Sequence, residues 1–81
     1  MNMKMLLEAV GWYGAAAIII AYLLNSFSII AANTFVYQLL NLTGAIGIIV
    51  ISLIKKTYQP AAVNIIWAIV AAITLTRMAL Q

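Results

Sequence analysis

The chain has 81 residues, of which 68% are hydrophobic, and only five side chains carry charge: Lys4, Glu8, Lys55, Lys56 and Arg77. A water-soluble domain of this size exposes much of its surface and needs polar side chains to cover it, so the composition points to lipid as the solvent. The formal charge of +3 is spread over the ends of apolar runs. It therefore predicts membrane-interface anchors and no nucleic-acid partner. Cysteine and histidine are absent and Glu8 is the single carboxylate, which excludes a Ser-His-Asp triad, paired-acid hydrolysis and thiolate or histidine metal sites. The expectation is a protein that is not an enzyme, with no metal and no cofactor.

The first apolar stretch runs over about 9–30, the second over about 35–54 and the third over about 61–79. Each has about the 20 residues that an α-helix needs to cross 30 Å of hydrocarbon. The predicted fold is an all-α membrane protein, a three-transmembrane-helix bundle forming a single domain over 1–81. Lys4 precedes the first stretch as in a signal peptide. The run is too long for a signal h-region and no A-x-A-like cleavage site follows it, so it reads as a retained span.

Ala31-Ala32-Asn33-Thr34 separates the first two stretches, and Asn33 or Thr34 is suited to cap the second helix. Lys55 to Pro60 forms the second break, with Pro60 expected at the first position of the third helix, where its missing N–H costs nothing. Short breaks make consecutive helices antiparallel neighbours. The N-terminus then shares a side with Lys55 and Lys56, while Arg77 lies opposite. Three basic side chains against one place the N-terminus in the cytoplasm and the chain in the inner (cell) membrane.

Helix association in lipid depends on close backbone approach and interhelical hydrogen bonds. Gly11, Gly14, Ile18, Ala21 and Asn25 recur at spacings of three and four in the first stretch. Gln38, Asn41, Gly44 and Gly47 do so in the second, and Asn64, Trp67, Ala68, Ala71 and Leu75 form one side of the third. Gly14, Gly44, Gly47, Ala68 and Ala71 are the expected helix-packing positions. Amides are costly in hydrocarbon without a partner and mark either glue or a cavity. Asn25, Asn41 and Asn64, with Gln38, are the candidate cavity-lining residues, and Tyr22, Tyr37 and Trp67 are placed to flank them. By depth, Asn25 and Asn41 lie close enough to the same surface to bond each other. Asn41-Leu42-Thr43 matches a glycosylation sequon, but inside a span it is out of reach of the modifying enzyme.

Residues 37–75, YQLLNLTGAIGIIVISLIKKTYQPAAVNIIWAIVAAITL, resemble the last two helices of the bacterial half-sized sugar transporters called SemiSWEETs and of the wider PQ-loop superfamily. The GWYG start, the YQLLN-x-x-GA stretch and the Lys-x-x-Tyr-x-Pro-x-x-x-Asn turn resemble, over about 10–75, a group of small bacterial three-span proteins labelled permeases without an established activity. The SemiSWEET resemblance implies a bundle in spatial order 1-3-2, a parallel homodimer around a central path, and a substrate contact at Asn64 with Trp67 beside it. The Pro-Gln pair of those transporters is replaced here by Asn25-Ser26, and their N-outside topology is opposite to the one that the basic residues favour. The combined expectation is one half of a homo-oligomeric transporter or permease-like assembly, with the lipid bilayer, further copies of itself and a small polar solute as partners. A non-transporting scaffold or interaction protein is the alternative, and a holin-like pore a third.

Overall fold

The computed structural model describes residues 2–81, which form three helices: α1 over Met3–Ser26, α2 over Phe35–Ile54 and α3 over Tyr58–Leu80. All three are long and apolar enough to cross a membrane, so the chain is a multi-pass membrane protein. The molecule is 40 Å long and 22 Å across.

The bounds differ from the apolar stretches where local chemistry decides them. α1 begins six residues earlier than expected because Asn2 caps it, its Oδ1 accepting from the Met5 N–H at 2.8 Å. It ends at Ser26 because Ser28 turns into the left-handed region, with φ 60°. There the Ile29 N–H bonds the Leu24 carbonyl at 2.8 Å and the Ser28 N–H bonds the Asn25 carbonyl at 3.0 Å. This pair of bonds is a Schellman closure, which satisfies carbonyls that a helix end otherwise leaves free.

α2 ends in the same way. Lys56 has φ 58°, and the Thr57 and Lys56 N–H groups bond the Ser52 and Leu53 carbonyls at 2.8 and 3.2 Å. Glycine is the residue that occupies this backbone conformation without steric cost, and neither position has one. Thr34 caps the start of α2, accepting from the Tyr37 N–H at 3.4 Å and donating to the Ala31 carbonyl at 2.7 Å. Pro60 falls third in α3, counting from Tyr58, and not first as the sequence suggested. The placement costs nothing for the same reason, because the first four N–H groups of a helix have no intrahelical partner.

The order of the helices departs from the SemiSWEET pattern. α2 lies in the middle and packs against both α1 and α3, and α1 and α3 do not approach each other. The connections account for this: residues 27–34 and 55–57 are too short to carry α2 out from between its chain neighbours. The seam between α1 and α2 is made of glycine and alanine. A Cβ on Gly14 would lie 2.5 Å from the Gly44 carbonyl oxygen, and one on Gly47 would lie 2.8 Å from the Val10 oxygen. α3 contributes Ala61, Asn64 and Ala71 as its buried residues. The buried hydrophobic core consists of five alanines, Ala17, Ala21, Ala45, Ala61 and Ala71. Large side chains such as Ile20, Leu39, Ile46 and Ile73 point outward, as expected where lipid is as apolar as leucine and cohesion comes from close backbone contact.

Candidate functional site

Because α1 and α3 stand apart over α2, a groove opens between them at the end that carries the 27–34 loop. Two cavities lie towards opposite membrane surfaces, one lined by all three helices and the other by α1, α2 and Thr57.

The larger cavity, about 490 Å³, lies towards the end that carries the 27–34 loop. α1 supplies Ile18 and Tyr22 to it, α2 supplies Tyr37, Gln38 and Asn41, and α3 supplies Trp67, Val70 and Ala71. It is the place where side chains of all three helices converge. Helical spacing explains the selection: Tyr37, Gln38 and Asn41 share one face of α2, and Trp67, Val70 and Ala71 share one face of α3.

The amides in this cavity are oriented by the backbone. The Gln38 amide nitrogen donates to the Ala32 carbonyl at 2.7 Å, tying the loop to the helix. The Asn41 nitrogen donates to the Tyr37 carbonyl one turn back, at 3.3 Å. A carbonyl accepts only, so in each side chain the nitrogen must be the donor and the oxygen points elsewhere. Neither oxygen has a hydrogen-bond partner among the described residues, and neither is a buried orphan.

The smaller cavity, about 270 Å³, lies towards the opposite surface and is lined by Gly11 and Trp12 of α1 with Ser52 of α2, among others. At its edge Glu8 and Lys55 form an ion pair with 2.5 Å between Nζ and Oε1. Both side chains are about half exposed, so solvent screens the pair and its worth lies in register more than in stability. The pair fixes the start of α1 and the end of α2 on one side.

The remaining sequence candidates lie elsewhere. Asn64 is buried, 8% exposed, and its nitrogen donates to the Pro60 carbonyl at 2.9 Å. It faces α2 and lines neither cavity. Asn25 stands in the last turn of α1, where its nitrogen bonds the Ile30 carbonyl at 3.0 Å and braces the loop. The direct Asn25–Asn41 bond expected from their depth does not form, because each amide finds a nearer carbonyl. Of the helix-packing positions, Gly14, Gly44, Gly47 and Ala71 are buried and Ala68 is half-buried.

Two contacts between helices had no counterpart in the sequence reading. One is the Glu8–Lys55 pair, whose only sequence signal is that opposite charges stand at the two helix ends an antiparallel hairpin brings together. The other is a 2.7 Å hydrogen bond between Tyr13 and Thr43. The Thr43 hydroxyl already donates its one hydrogen to the Leu39 carbonyl at 2.8 Å, so Tyr13 is the donor to Thr43.

The fold and its cavities define a small three-helix membrane protein with a groove open between α1 and α3. The chain belongs to a family of uncharacterised domains whose model matches residues 7–81. No curated protein and no solved structure matches it.

Proposed function

We propose that the chain is one half of a homo-oligomeric, non-enzymatic, permease-like assembly that moves a small polar solute across the cell membrane. The observation that carries this reading is the 490 Å³ cavity, lined by aromatic and amide side chains from all three helices and open along a groove. A volume of that size suits a small ligand, with an apolar wall and a few polar groups to orient it. One three-helix unit leaves the groove unclosed, and a second copy laid over it would complete a path, as paired repeats do in transporters. The smaller cavity towards the other surface would then be the opposite mouth, with Glu8 and Lys55 beside it.

The test is solute uptake by proteoliposomes containing the purified chain, with crosslinking of cysteines placed along the groove. Uptake that Asn41→Leu or Trp67→Leu abolishes, together with crosslinks between copies across the groove, supports the assembly. A chain that stays monomeric at all concentrations and passes no solute would not be a transporter half. A scaffold role is the second reading, favoured by the Gly14–Gly44 seam and by amides that each bond a nearby backbone carbonyl.

A further inference from the structure

We infer that the 490 Å³ cavity selects small organic cations, primary or quaternary ammonium compounds, over neutral solutes of the same shape. This rests on the reading of that cavity as a binding site.

The chemistry of its lining supports a cationic guest. Tyr22, Tyr37 and Trp67 give three aromatic rings within one cavity, and the electron-rich faces of aromatic rings attract ammonium groups. The two amides add to the bias. Gln38 and Asn41 each use one amide N–H on the Ala32 and Tyr37 carbonyls and keep an oxygen without a protein partner, an acceptor suited to an N–H or to the polarised C–H groups of a quaternary ammonium. No basic side chain lines the cavity to repel such a guest.

At this end of the molecule α1 and α3 present their C-termini and α2 presents its N-terminus, and because such partial charges of opposite sign fall off within about a turn they do not set the sign of the cavity. Arg77, the cation at this end, stands six residues beyond Ala71 on α3 and does not line the cavity.

The probes are choline and its uncharged isostere 3,3-dimethylbutan-1-ol. In Trp12→Phe protein Trp67 is the sole tryptophan, and its fluorescence reports the cavity directly. Isothermal titration calorimetry on the unmodified chain gives the same comparison should that variant fold poorly. Choline is expected to bind saturably and at least tenfold more tightly than the alcohol, and Tyr22→Ala or Asn41→Leu should weaken choline several-fold with less effect on the alcohol. Equal binding of the two, tighter binding of the alcohol, or no saturable choline signal by either method overturns the inference. Choline binding without choline uptake into proteoliposomes would leave cation selection standing and remove the transport reading. Uptake of neutral solutes without choline binding would do the reverse.

Discussion

Gly14 and Gly44 meet backbone to backbone: a Cβ built on either would stand within 3 Å of the other's carbonyl oxygen, at 2.5 Å from Gly14 and 2.9 Å from Gly44. Side chains elsewhere on α1 and α2 follow from this approach, since it sets how near Ala17, Ile18 and Ile48 come to the opposite helix. The obstacle is backbone, which cannot rotate aside as a side chain would.

Gly14→Ala should therefore force α1 and α2 apart, at a cost of about 1–3 kcal/mol, the range for overpacking a tight interface. Gly11→Ala meets only the Ile51 side chain, at 2.9 Å, and should cost less. Reversible unfolding in mixed micelles would measure both, and an equal cost at the two positions would contradict the backbone contact.

Ser28 and Lys56 occupy left-handed backbone at the ends of α1 and α2, a conformation that strains any side chain. Ser28→Gly should raise stability by about 0.5–1 kcal/mol, since relief of that strain exceeds the added freedom of the unfolded chain. Thermal unfolding in detergent would register the gain, and Ser28→Ala, which keeps the Cβ, should not reproduce it.

Tyr13 donates to Thr43 in mid-span, on a part of the surface that faces outward. Tyr13→Phe should cost about 0.6 kcal/mol, near the mean for interhelical hydrogen bonds in membranes. In a double-mutant cycle with Thr43→Val the two effects should not add, and simple additivity would show that the hydroxyls act independently.

Asn64 is buried against α2 with its nitrogen on the Pro60 carbonyl. Replacing it with Ala should lower stability by about 0.6–2 kcal/mol and leave choline binding in the 490 Å³ cavity unchanged. Asn64→Asp, which places a carboxylate at a buried position, should be the more damaging of the two. Loss of binding with unchanged stability in Asn64→Ala would return this residue to the site.

Glu8 and Lys55 bring one end of α1 against one end of α2. Cysteines at these two positions should be joined within one chain by a short bismaleimide crosslinker, while cysteines at Asn2 and Gln59 should be labelled from one membrane face and one at Gln81 from the other. The basic residues assign the Asn2 face to the cytoplasm, and labelling in intact cells decides that assignment separately from the fold.

Composition and hydropathy were enough to determine three spans, their antiparallel order and an interior of small residues, because each follows from the bilayer's thickness and from the absence of a hydrophobic drive between helices in lipid. The residues 35–54 assigned to the second span are those of α2, where Thr34 and Lys56 mark the ends chemically. α1 and α3 began earlier than their apolar runs, since the Asn2 side-chain cap and the left-handed turn at Lys56 that lets α3 start at Tyr58 are local features that hydropathy does not register. Gly14, Gly44 and Gly47 were legible as packing positions from spacing alone. Which helix lies between the other two was not, because periodicity shows that a helix has a packing face without naming its partner. The same limit governed the amides. Asn25, Asn41 and Asn64 are chemically alike in the sequence, and only the tertiary structure, by placing α2 centrally and opening a groove between α1 and α3, put Asn41 in a cavity, Asn25 at the end of α1 braced to the loop and Asn64 buried against α2.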